Sequence, residues 1–286
     1  MSNTLEIDPT SAVKLLPVHI AKPWGQEIWY TGIEERGESC VQIAQDQWPL
    51  SAYLDAAGLD DGLLLKVLDP APEPVRGDLY FEVHEEKREV YVVTNVPPSG
   101  GQIRFGMNQT LRAQDANAAD VRGAYLEAVL GYESIRRAID EAQVDGEESA
   151  AEERAARASM DAFTALAPLA VGDVVVVPTW TPHALQHGVR VVEFQTPVYE
   201  RLIVSFAQRV LTQDHWDTRQ AVERMSIGPP ESPSFEYVAP GIERIARFPD
   251  FNVWRVDGSH TDEVTLPGNL PYAVVMSLKH DGAVGN

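Results

Sequence analysis

Residues 172–183 read Gly172-Asp173-Val174-Val175-Val176-Val177-Pro178-Thr179-Trp180-Thr181-Pro182-His183. Four consecutive β-branched residues favour an extended chain, and an apolar run bounded by Gly-Asp and Pro is what a strand buried on both faces requires. Such a strand delivers a short turn and then an imidazole, His183, which a rigid sheet can aim inward. The stretch that can meet it is Glu82-Val83-His84, followed by Glu89. Side chains two apart on a strand share a face, so Glu82 and His84 converge. If 79–84 and 89–95 are neighbouring antiparallel strands joined by Glu85-Glu86-Lys87-Arg88, Glu89 comes beside them. Two carboxylates and two imidazoles make a donor set for one divalent metal, with Zn²⁺, Mn²⁺ and Fe²⁺ all compatible.

The pattern around these pieces is mainly β. Glu27–Thr31, Leu63–Leu68, Leu79–His84, Glu89–Val96, Ile103–Phe105, Val189–Gln195 and Tyr199–Phe206 are short β-prone segments separated by Pro, Gly and charged turns. Pro49–Gly58 suits a helix of two turns. Residues 113–167 break the rhythm, rich in Ala, Glu, Arg and Leu, with Tyr125, Leu126, Val129, Leu130, Ile135 and Ile139 at helical spacing. At least two helices are expected there, with Asp145–Arg157 as a solvated face and linker. A short helix is expected over Asp214–Met225, capped by Asp214. The Pro-rich stretch Gly228–Pro233 then divides a domain of residues 1–226 from a small C-terminal piece, 227–286, with strands around Phe251–Val256 and Tyr272–Leu278.

Composition narrows the partners. The chain has 286 residues, 44% of them hydrophobic, and a formal charge of −20. That excess of acid repels nucleic-acid backbones and anionic membrane surfaces, so an anionic substrate needs a local basic pocket. Cys40 is the single cysteine, which excludes an intrachain disulfide and multi-cysteine zinc sites and suits a reducing compartment. Without a signal-like N-terminus or a long apolar run, a cytoplasmic location is expected. G-x-S-x-G, G-x-G-x-x-G and Walker A patterns are all absent, which leaves nucleophile-elbow hydrolases and the usual nucleotide sites without support.

The two ligand stretches resemble the cupin motifs H-x-H-x(3,4)-E and G-x(5)-P-x-G-x(2)-H. Glu82 replaces the leading His, and Trp180 stands where the second motif usually has Gly. A narrower resemblance is to type I mannose-6-phosphate isomerases. It is carried in order by Lys22-Pro23-Trp24-Gly25, Leu64-Leu65-Lys66-Val67-Leu68-Asp69, Glu82-Val83-His84, Glu89, Trp180-Thr181-Pro182-His183-Ala184, Val191-Val192-Glu193-Phe194-Gln195 and Tyr199-Glu200-Arg201. The chain departs from that family with Glu82 in place of Gln, Tyr80 in place of a serine that contacts substrate phosphate, and a shortened loop before Glu89.

The resemblance implies a cupin (jelly-roll) β-sandwich with a helical insertion and a small C-terminal β subdomain. It also implies one divalent metal, Zn²⁺ by preference, held by Glu82, His84, Glu89 and His183. The implied reaction interconverts an aldose and a ketose, mannose 6-phosphate with fructose 6-phosphate or a related sugar. Arg201 matches the family's active-site arginine, and Lys66 would orient a hydroxyl or the phosphate. The expected partner is a small sugar or sugar phosphate, and the chain is expected to be a monomer or homodimer. Two other readings keep the fold: a carbohydrate-binding or regulatory cupin without turnover, and an iron-dependent cupin dioxygenase. His187, His260 and His280 read as surface histidines, and His215 and Trp216 as packing and capping residues. Trp180 is expected to line a sugar pocket ahead of Trp24 and Trp29.

Overall fold

The computed structural model describes residues 7–8, 11–60, 62–110, 117–206, 216–260, 265 and 270–278. Two antiparallel sheets face each other. One orders its six strands as Val174–Val177, Glu89–Asn95, Arg190–Gln195, Leu64–Pro70, Gly25–Trp29 and Val18–Lys22. The other orders five as Thr164–Leu169, Gly101–Met107, His183–Leu185, Phe81–Val83 and Leu202–Ser205. This is the mainly β sandwich expected from the sequence. Its core runs between the sheets, with Tyr91, Val93, Val177 and Val191 on one side meeting Phe81, Val83, Ile103, Leu185 and Ile203 on the other.

The six-stranded sheet is covered on both faces, which its sequence explains. Along Val174–Val177 the odd positions Val175 and Val177 enter the main core, while Val174 and Val176 pack on a cluster containing Ile245, Phe251 and Val253. That cluster belongs to a three-stranded sheet, Glu236–Ala239, Ile242–Arg247 and Asn252–Val256, lying past the Pro-rich stretch. Of these strands the sequence pattern located the last. Tyr272–Leu278, expected as a strand, forms no ladder beyond an isolated bridge at Leu278. Its alternation is real, since Val274 and Met276 pack on the outer face of the large sheet and Val275 is 86% exposed. Among the described residues no second strand runs alongside it, and alternation without a ladder does not make a strand.

Two helices, Ala118–Asp140 and Ala150–Asp161, fill the insertion. Asn117 caps the first, its side-chain oxygen accepting from the N–H groups of Ala119 and Asp120. Val121, Tyr125, Val129 and Tyr132 bury one stripe against the core. The insertion ends earlier than 167, because Thr164–Leu169 is an edge strand paired with Gly101–Met107. Its alternating burial, with Leu166 46% exposed, hid it within a helix-forming composition. Arg157, placed on the solvated face by its charge, reaches back to Asp78 at 3.1 Å. The helix Leu50–Ala57 ends, as expected, at Gly58 in the left-handed region (φ 65°). A last helix, Thr218–Arg224, begins later than expected. Asp214 and His215 lie outside the described residues, as does His280. Among the described residues no helix is long and apolar enough to cross a membrane.

The C-terminal sheet should contribute to stability through the apolar contact it makes. Phe251 is 7% exposed and edge-on to Phe248 at 5.2 Å. Phe251→Ala should lower the unfolding free energy by about 3 kcal/mol in urea titrations. Tyr237→Ala, at a position 70% exposed, should change it by less than about 0.5 kcal/mol.

Candidate metal centre

Glu82, His84, Glu89 and His183 do come together, with one potential ligand atom from each lying within 4.8 Å of all the others. The route differs from the expected hairpin. Phe81–Val83 belongs to the five-stranded sheet and Glu89–Asn95 to the six-stranded one, so residues 84–88 cross from sheet to sheet. Glu82 and His183 are directly opposed on adjacent strands. His84 follows at the strand end, and Glu89 approaches from the opposite sheet.

Glu200 holds the crossing in place. Its carboxylate accepts the backbone N–H groups of Glu85 at 2.9 Å, Glu86 at 3.2 Å and Lys87 at 3.5 Å. Its carbonyl oxygen lies 3.1 Å from Nδ1 of His84. A carbonyl can only accept, so that nitrogen carries the hydrogen and Nε2 turns its lone pair inward. His183 is arranged alike, with Nδ1 2.9 Å from the Thr181 carbonyl. Nε2 of His84 then faces Glu82 at 3.5 Å and Glu89 at 3.4 Å, and Nε2 of His183 faces Glu89 at 3.0 Å. Lone pairs opposing carboxylates repel unless a proton or a metal cation lies between them. Both Nε2 of His84 and Oε2 of Glu82 are buried without a hydrogen-bond partner, so the residues present fit a divalent ion.

The charges around this cluster are buried and interlocked. Lys87, which the sequence reading treated as part of a turn, is 7% exposed with Nζ 2.6 Å from Glu89. Tyr91 donates its hydroxyl to the other Glu89 oxygen at 2.6 Å. Burial opposes ionisation of Glu89, but the charges of Lys87 and His84 and the close approach of His183 hold it well below the usual carboxylate range. Glu82 is depressed too, burial being outweighed by His84, Lys87 and Arg201. For His84, burial and Lys87 work against its charge, and Glu89 and Glu82 together prevail and raise its pKa.

Lys66 does not reach solvent from a strand end; it is 7% exposed inside the pocket. It sits opposite Glu193 in register, 3.2 Å away, with Glu27 at 3.8 Å. Despite burial those two carboxylates raise its pKa, so it stays an ammonium. Burial pushes Glu193 upward, and Lys66 opposes it while Glu89 reinforces it. Arg201 lies over the Tyr80 ring, 4.7 Å from its centroid, at the pocket wall.

The aromatic expectation is reversed. Trp24, Trp29, Tyr80, Tyr91 and Tyr199 line the pocket, whereas Trp180 does not. Trp180 holds a left-handed backbone (φ 61°) and stacks under Arg224 at 4.0 Å. The backbone there is one that glycine adopts without strain, which accounts for the usual residue of the motif. Gly25 has a related role: with φ 149° and an added Cβ only 2.3 Å from the Asp69 carbonyl, it lets Lys22 and Trp24 reach the pocket. His187 is half-buried against Asp78 at 2.7 Å, not free on the surface, and stands apart from the centre. His260 is exposed, and Trp216 is buried beside Tyr132 at 6.0 Å.

No protein-family model and no curated protein sequence matches the chain. Solved structures do. Mannose 6-phosphate isomerase from Bacillus subtilis is similar with a TM-score of 0.55 and 17% identity, over 85% of this chain and 78% of that one. A mutant phosphomannose isomerase from Salmonella typhimurium is similar with a TM-score of 0.59 and 14% identity, over 84% and 81% of the two chains. A zinc-bound mannose 6-phosphate isomerase gives a TM-score of 0.59 at 13% identity, over 84% and 82%. At these identities the likeness establishes a shared cupin β-sandwich.

The anchoring by Glu200 has a direct consequence. Glu200→Ala should speed amide exchange at Glu85, Glu86 and Lys87, read by hydrogen–deuterium exchange. It should cost only about 1 kcal/mol globally, since the loop is partly exposed.

Proposed function

We propose that this protein is a metal-dependent aldose–ketose isomerase whose divalent ion is held by Glu82, His84, Glu89 and His183. The observation that carries the reading is the pair of buried imidazole nitrogens turned onto carboxylates, Nε2 of His84 and of His183. The aromatic side chains in the wall support a sugar, because they give its C–H surface apolar contact beside polar groups for its hydroxyls. The sugar backbone carried over from the similar structures is a mannose and its ketose.

A bound divalent ion would act as a Lewis acid on sugar oxygens, favouring negative charge during enolisation. The chain's own groups have separable tasks. Lys66, fixed as an ammonium between Glu193 and Glu27, is a hydrogen-bond donor that orients a hydroxyl. Arg201 reaches the same space with a permanent charge and would steady a developing enediolate. The two sheets and the Trp24 and Trp29 rings keep bulk water from the reacting carbons. Zinc is the preferred ion by analogy with the zinc-bound structure, and the donor types also suit Mn²⁺ and Fe²⁺.

A second reading, a metal-free carbohydrate-binding cupin, is favoured by Lys87, an internal cation only 2.6 Å from Glu89. Elemental analysis of protein purified without chelator or added metal, with a coupled isomerase assay on the same preparation, separates the two. We expect about one ion per chain together with turnover. Protein free of metal and inactive after zinc, manganese or iron is supplied would favour the second reading. His183→Ala should lose the ion and the activity together; full occupancy in that variant would remove His183 from the site.

Affinity for the ion should depend on pH in a set direction. The His84 pKa is raised above 6.5, and its proton must leave before Nε2 can ligate. Binding should therefore tighten as pH rises between about 6 and 8, with protons released in calorimetry. In the metal-free protein the sign is opposite. A raised folded-state pKa adds stability below the unfolded value, and that contribution fades as pH rises through the folded one.

A further inference from the structure

Six glutamates and five lysine or arginine side chains line the pocket, and nearly every cation already has an internal partner. Lys22 lies 3.2 Å from Glu27, Lys66 lies 3.2 Å from Glu193, and Lys87 lies 2.6 Å from Glu89. Arg36 donates through Nε to Glu34 at 3.0 Å and stacks over Tyr199 at 4.1 Å. Arg201 lies over Tyr80 beside the metal-ligand cluster. A phosphate dianion is usually met by several charge-assisted donors, an N–H nest or a helix N-terminus. Among the described residues lining the pocket, none lies on a helix. An N–H nest does exist at the wall, made by Glu85, Glu86 and Lys87, but the chain's own Glu200 carboxylate fills it.

From this we infer that the pocket takes an uncharged, unphosphorylated aldose and its ketose, and disfavours sugar phosphates. The inference rests on the isomerase reading and specifies its substrate class. A phosphate entering here would bring two negative charges to a wall where every cation but Arg201 already faces a glutamate and the oxyanion nest is occupied. A neutral sugar needs only hydroxyl donors and acceptors and apolar contact, which the edges of the buried Trp24 and Trp29 and of Tyr199 supply where they line the pocket.

The test is to load the full-length protein with its divalent ion and compare kcat/KM for D-mannose and D-mannose 6-phosphate. The expected result is a preference of at least about tenfold for the free sugar. A preference for the phosphate overturns the inference while leaving the isomerase reading intact. If neither sugar is turned over, the isomerase reading fails, and the inference is decided by tryptophan-fluorescence titration, since Trp24 and Trp29 report from the pocket. Tighter binding of mannose than of mannose 6-phosphate supports it; the reverse order, or binding of neither, overturns it. Glu34→Gln, which releases Arg36, should shift the ratio several-fold toward the phosphorylated sugar, and an unchanged ratio would count against the charge argument.

Discussion

A sandwich that buries Lys66, Glu89 and Glu193 between its sheets must neutralise them internally, because isolated charges removed from water cost several kcal/mol each. This requirement organises one end of the molecule. Along the large sheet the inward positions are apolar at one end, as at Val93 and Val191, and charged at the other, as at Glu89 and Glu193. On the outward face the apolar positions around Val90, Val174 and Val192 are covered by the C-terminal sheet and the segment around Val274, while Gln26, Asp69 and Arg190 form a polar end. The pocket is thus the polar continuation of the core, made by the same alternation of side chains.

The requirement also explains the crossover between Glu82 and Glu89. Two carboxylates and two imidazoles on one sheet would leave a flat cluster open to water. Distributing them over both sheets encloses them, and Glu200 and Thr181 then orient the imidazoles through their carbonyls. Each histidine is left with one nitrogen committed to the backbone and the other to the cluster. This is how proteins hold metal-binding imidazoles, because the backbone hydrogen bond sets both tautomer and ring direction.

The fold is shared with solved mannose 6-phosphate isomerases, and a shared fold carries many chemistries. What distinguishes this chain is the accounting of charge inside its pocket. Lysines near the candidate ligand cluster could serve an anionic group, yet here each is engaged with a glutamate a few ångströms away. Six glutamates offset the five basic side chains in the lining, and the pairing leaves the pocket polar and aromatic.

Much of the sandwich was legible in sequence because strand burial leaves a local signature. Val174–Val177 reads as buried on both faces and is, and Leu63–Leu68 and Glu89–Val96 read as strands and fall on Leu64–Pro70 and Glu89–Asn95. The four candidate ligands were also legible, since their spacing around strand ends is a property of the chain itself. Other features depend on which strands become neighbours, and no local pattern encodes that. The edge strand Thr164–Leu169 needed its partner at Gly101–Met107, and among the described residues Tyr272–Leu278 shows only the single bridge at Leu278. Lys87 looked like a turn residue until the chain crossed to the opposite sheet and buried its ammonium against Glu89. Trp180 looked like a pocket aromatic until its backbone turned it toward Arg224. Local periodicity determined the elements and the donor set; only the tertiary packing decided which charges meet, because electrostatic pairing acts across space between segments far apart in the chain.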